Sequence, residues 1–160
     1  ELIRTRRLEG HVRIVEHCDD MPAAYMLAAA VVCASIEPEG FGRVPVEAQA
    51  MGRPTIATNH GGACETVLPG ETGWLVPPGD ARALADAILQ ALDLDPEQRA
   101  LLGTHAMAHV AENFTRTLMA DRTLDVYAEL LEGAYAAAAR AAPGESESPP
   151  VQGVERLAAE

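Results

Sequence analysis

The sequence predicts an α/β domain with a parallel sheet covered by helices on both faces. Three observations carry that expectation. Short runs rich in apolar and β-branched residues, such as Val31 to Ser35, Thr55 to Thr58 and Trp74 to Val76, alternate with longer segments of helical periodicity. Glycine and proline punctuate nearly every junction. Between the first two of these runs lies Glu37 to Pro54, rich in glycine, proline and charge, which reads as a strand end, a tight turn and a helix. In open α/β sheets such a turn falls at the carboxyl edge of the strands, where ligands bind.

Taken in order, Leu2 to Leu8 reads as a helix end stopped by Gly10, and Val12, Ile14 and Val15 as a first short strand. Asp20 is placed to N-cap a helix with Pro22 in its first turn and a body from Ala23 to Ala30. Its apolar residues lie all round, as in a helix packed tightly on a sheet. Val31 to Ser35 is the second strand. A helix then begins near Arg43 or Val44, takes Pro45 early, where its missing N–H costs nothing, and stops at Met51-Gly52. Thr55 to Thr58 is the third strand, leading into His60-Gly61-Gly62 and a short helix through Glu65 and Val67. After a turn at Glu71-Thr72-Gly73, Trp74 to Val76 is the fourth strand.

Asp80 caps a helix whose apolar positions Leu84, Ala87, Ile88 and Ala91 fall at helical spacing. Asp95-Pro96 opens another, running to about Asn113, and Phe114-Thr115 breaks it. A long C-terminal helix follows, with Leu118, Leu124, Tyr127, Leu130 and Leu131 as its apolar positions and Ala134 to Ala142 as its extension. Residues 1–142 are expected to form the domain. Pro143 to Pro150 and the rest, 143–160, have too little apolar surface to order themselves and read as a disordered tail.

Composition limits the functions available. The 160 residues carry a net charge of -12, which argues against a nucleic-acid partner or an anionic membrane surface. No apolar run approaches the roughly 18 residues that span a bilayer. All 12 basic residues are arginine, so phosphate binding or a Schiff base that needs lysine has no candidate in this chain. Cys18, Cys33 and Cys64 form no Cys-x-x-Cys pair, which disfavours a zinc site or disulfide framework and makes a reducing cytoplasm the expected location. The first residues read as a cut inside a longer protein.

The candidate site is the opening turn. Gly40 and Gly42 let backbone approach a ligand closely. The free N–H groups of Arg43 and Val44 at a helix start suit a phosphate. Glu39 and Glu47 can face one crevice, and a carboxylate accepts the two hydrogen bonds that vicinal sugar hydroxyls donate. The alternative is that Glu37, Glu39 and Glu47 are ordinary surface or capping residues. His60 lies on the same sheet edge and can contact phosphate or hydroxyl, or be incidental; Glu65 reads as a cap. Cys64 has no visible base partner. His105 and His109 have i, i+4 spacing but no third ligand, so no metal is expected.

The run Ser35 to Ala57, together with His60-Gly61-Gly62-x-x-Glu65 and Gly70-x-x-Gly73-Trp74-Leu75-Val76-Pro77-Pro78-Gly79-Asp80, resembles the retaining family-4 glycosyltransferases of the GT-B fold. The Glu-x7-Glu signature is Glu39 to Glu47, and the likeness extends from about Leu8 to Leu131. It implies a partial, Rossmann-like C-terminal domain that binds a nucleotide sugar, without a cofactor or metal. By that resemblance Glu39, with a catalytic role, would bind the donor sugar together with Gly40, Phe41 and Gly42. Arg43 and Val44 would hold the diphosphate, Glu47 the ribose, and backbone near His17 and Cys18 the base. In the family, an Arg and a Lys from the first part of this domain clamp the diphosphate, and a separate N-terminal domain brings the acceptor. Both are expected to lie outside this chain, which would then bind weakly and transfer nothing alone. The rival expectations are a non-catalytic nucleotide- or sugar-binding module working with a partner chain and, disfavoured by the missing lysine, a phosphorylase-type enzyme. The base, sugar and acceptor, and any membrane association of the parent protein, stay open.

Overall fold

The computed structural model describes residues 1–141, with side chains through residue 134. Two compact units are distinguished, one ending at Thr115 and the other beginning at Arg116.

The first unit is built on three parallel strands, β1 (Val31–Cys33), β2 (Thr55–Thr58) and β3 (Gly73–Val76), in the order β1-β2-β3. Val31 lies opposite Thr55, and Ile56 opposite Trp74. All four residues of β2 are buried, so the central strand is covered on both faces. Helix α3 (Arg43–Ala50) packs on β1 and β2, and α5 (Ala81–Asp93) on β2 and β3. The α5 side is the apolar core, where Ile56 and Val76 meet Ala87 and Ala91, with Trp74, Leu84 and Ile88 at its margin.

Helix starts follow the sequence closely. Asp20 accepts from Ala23 N at the head of α2 (Met21–Leu27), and Asp80 accepts from Arg82 N and Ala83 N at the head of α5. Asp95 and Gln98 exchange hydrogen bonds in a full capping box on α6 (Pro96–Asn113). The short α4 (Ala63–Thr66) follows the second glycine turn. Arg99, on α6, donates to the carbonyls of Ala29 (2.6 Å) and Ala91 (2.9 Å), tying that helix to the α2–β1 junction and to α5.

Three expectations are corrected at the N-terminal side. Residues 12–15 are not a strand: Ile14 is 78% and Val15 68% exposed, and β1 pairs with β2 alone among the described strands. An extended segment gains stability only from a ladder partner and a covered face, and this one has neither. Helix α1 covers only Leu2–Thr5 and ends where Arg7 turns left-handed, ahead of Gly10. Helix α2 stops at Leu27 rather than Ala30 and packs by one side, with Tyr25 buried and Leu27 88% exposed, so its all-round apolarity does not mean all-round burial.

The second unit is α7 (Arg116–Ala141), the expected long helix. Leu124, Tyr127, Leu130 and Leu131 are exposed along it. The expected tail lies outside the described residues. None of the described helices is long and apolar enough to cross a membrane.

Candidate functional site

The two glycine-rich turns meet at the carboxyl edge of the sheet. Gly42 adopts φ +73, a left-handed conformation that a side chain would strain, and so turns the chain into α3. No side chain caps that helix start. Pro45, the third helical residue, has no N–H, so the unshared first-turn donors are those of Arg43 and Val44.

The second turn is pressed against the first. Gly62 N donates to Glu39 O at 2.9 Å. A Cβ on Gly62 would stand 2.6 Å from Phe41 Cα, and one on Gly61, at φ +56, would stand 2.5 Å from Glu39 O. These glycines therefore serve contact between loops, whereas a Cβ at Gly40 would meet open space and one at Gly42 would lie 3.6 Å from Glu39 Oε2 and 3.8 Å from the Pro45 ring. Phe41 is half exposed and stacks edge-on against Phe114 with centroids 5.6 Å apart; Phe114 in turn meets His109 at 5.2 Å.

Each carboxylate of the signature is held by a hydroxyl. Ser35 Oγ donates to Glu39 Oε1 at 2.6 Å. The carbonyl of Ser35 accepts from Thr58 Oγ1 at 2.7 Å and from His60 Nε2 at 2.9 Å. His60 therefore carries its proton on Nε2 and acts as a brace for the Ser35–Glu39 loop, and its buried Nδ1 has no partner. Glu47, in the second turn of α3, accepts from Tyr25 Oη at Oε2 (2.9 Å) and from Arg43 at Oε1 (3.1 Å from Nε, 2.8 Å from an Nη). Burial, then the hydrogen bond to Glu47 and its charge, push the Tyr25 phenol up to about 12. Burial, with the Glu39 charge adding to it, also raises the Cys33 thiol, so Cys33 stays protonated beside Glu39 and is a poor nucleophile.

The structure thus gathers Glu39, Gly42, Arg43, Val44 and Glu47 around one helix start, braced by His60. It does not bring His17 and Cys18 into that network. Both are exposed; His17 pairs with Asp19 at 2.8 Å, and Cys18 Sγ donates to Asp20 O at 3.4 Å. Cys64 donates to Asn59 Oδ1. Among the described residues no three side chains form a metal cluster. Sequence reasoning missed Tyr25, Ser35 and Thr58 as supports. The available signals were a lone phenol in an apolar helix and hydroxyls at two adjacent strand ends.

A parallel sheet with its polar loops gathered at the carboxyl edge belongs to the open α/β class of ligand-binding domains. Residues 1–108 match the glycosyl transferases group 1 family, and the chain belongs to that family. It is 38% identical over 131 residues to D-inositol 3-phosphate glycosyltransferase of Corynebacterium diphtheriae, covering 81% of this chain and 30% of that protein. Against a capsular polysaccharide biosynthesis glycosyltransferase of Staphylococcus aureus the identity is 32% over 122 residues, covering 76% and 32%. The crystal structure of a Rickettsia africae glycosyltransferase shares 36% identity at a TM-score of 0.77, covering 81% of this chain and 35% of that one. An Anabaena protein crystallised with UDP-glucose shares 30% identity at a TM-score of 0.74, covering 79% and 35%. The chain spans about a third of the length of these relatives. The α/β architecture expected for the GT-B C-terminal half holds.

Proposed function

We propose that the chain is the donor-binding part of a retaining glycosyltransferase, which moves a sugar from a nucleotide sugar to an acceptor held by an N-terminal domain. The observation that carries this reading is the division of Glu39 and Glu47 on either side of an uncapped helix start. The Arg43 and Val44 N–H groups take the diphosphate, where the helix start offers partial positive charge. Glu47 takes the ribose hydroxyls. Glu39, with Gly40, Phe41 and Gly42, takes the sugar, and its charge is placed to act in the reaction. Backbone near His17 and Cys18 takes the base. The likeness to a protein crystallised with UDP-glucose supports a nucleotide-sugar ligand.

With no lysine in the sequence and the acceptor half supplied elsewhere, the 160 residues alone bind donor and transfer nothing. A missing electrostatic donor to a departing diphosphate costs about 3 kcal/mol or more of transition-state stabilisation. The three free cysteines suit a reducing cytoplasm. Calorimetric titration of UDP, GDP and their glucose and mannose conjugates against wild type, Glu39→Ala and Glu47→Ala tests the assignment. Glu47→Ala weakens nucleotide and nucleotide sugar alike, whereas Glu39→Ala weakens only the sugar-bearing ligand. Equal affinities in all three proteins overturn both roles, and glycosyl transfer by the purified chain overturns the inactivity.

A further inference from the structure

Glu47 meets its partners asymmetrically. One oxygen, Oε1, takes both Arg43 contacts, and the Arg43 side chain is 84% exposed. The other, Oε2, takes the hydroxyl of Tyr25, which is buried on α2. An exposed i, i+4 pair is weak and easily exchanged. A buried phenol packed between two helices is fixed by its surroundings.

We infer that Tyr25 is a positioning residue for nucleotide binding, which touches no ligand but fixes the plane of the Glu47 carboxylate through Oε2 so that its free lone pairs face a vicinal diol. The inference rests on the ribose role proposed for Glu47. A carboxylate offers about four lone-pair sites. Tyr25 uses one and Arg43 two, so one on Oε2 is open in the ligand-free protein, and departure of Arg43 frees Oε1 for the second hydroxyl. Without the phenol, the carboxylate could rotate toward Arg43 and solvent, and the diol would have to reorder it. The phenol remains a proton donor across the neutral range, its pKa being held up by burial and by Glu47 itself.

The test is a cycle on both sides of the contact, by calorimetry on the 160-residue chain with UDP and GDP and with their 2′,3′-dideoxy forms. Tyr25→Phe keeps the ring and removes only the hydroxyl. It is expected to weaken the nucleoside diphosphate that binds by about 3- to 10-fold. It should leave the dideoxy form, which lacks the diol, unchanged within a factor of about two. In a Glu47→Ala background, where the phenol has no acceptor left, Tyr25→Phe should have no further effect. Equal weakening of the ribose and dideoxy ligands makes Tyr25 a packing residue and overturns the inference. So does an unchanged affinity in Tyr25→Phe when Glu47→Ala weakens binding, while the ribose assignment survives. If Glu47→Ala itself changes nothing, or if neither nucleoside diphosphate saturates wild type, the ribose assignment falls and takes the inference with it.

Discussion

Replacing Gly62 with alanine perturbs the site from the neighbouring turn, by pressing on the backbone of Phe41. The added Cβ would lie 2.6 Å from Phe41 Cα, against an ordinary carbon–carbon separation of about 3.5–4.0 Å. One of the two turns has to retreat by roughly 1 Å. The obstacle is backbone on both sides, so no rotamer change relieves it. Overpacking of this kind costs about 1–3 kcal/mol. In a chain of this size each kcal/mol is worth about 2–4 °C in melting midpoint, so a fall of roughly 2–12 °C is expected. The same retreat drags Glu39, whose carbonyl accepts the Gly62 N–H, and loosens its reach for sugar hydroxyls. A lost charge-assisted hydrogen bond of about 1.5–3 kcal/mol corresponds to about 10- to 150-fold in affinity. Thermal unfolding and calorimetry with UDP-glucose and GDP-mannose read the two effects separately, with Gly10→Ala, which meets open space, as the control. A Gly62→Ala protein with wild-type midpoint and wild-type affinity would show that the turns are not pressed together, and the reasoning would fail.

Two further outcomes follow from the same geometry. Ser35→Ala, which removes the hydroxyl on Glu39 Oε1, should weaken nucleotide sugar by about 3- to 10-fold while leaving the nucleoside diphosphate unchanged; equal loss for both ligands in calorimetry would mean general damage to the loop. The Tyr25 phenol is raised to about 12, so between pH 10 and 12 the unfolded chain releases a proton that the folded one keeps. The stabilising contribution of that group is fully present below pH 10 and is lost as pH rises through about 12. Urea midpoints of wild type should therefore fall more steeply than those of Tyr25→Phe over that range, and parallel slopes would contradict the shift.

The stretch from Val31 to Asn113 was legible because its signals are local. Gly52-Arg53-Pro54, Pro77-Pro78-Gly79-Asp80 and Asp95-Pro96 each fix a boundary through backbone chemistry that needs no tertiary partner. Residues 12–15 misled because alternating apolarity predicts a strand only where a neighbour exists to pair with it. β1 was expected to reach Ser35 and ends at Cys33, since the Ser35 carbonyl is taken by Thr58 and His60. The Glu39 and Glu47 pair was readable from spacing and from likeness to known enzymes. Their supports were not, because Tyr25 acts across 22 residues and His60 across 25. No window along the chain contains both ends of such a contact.

Arg99 has a consequence for how the first unit comes apart. Its guanidinium caps the carbonyl of Ala91 near the end of α5 and that of Ala29 ahead of β1, so three segments share one cation. Peeling α6 away would leave those two carbonyls without it, which penalises partial opening relative to loss of the whole unit. Amide exchange in α5, α6 and the approach to β1 is thereby coupled, and a cation far along the chain from the Glu39 loop contributes to how often that loop's scaffold opens.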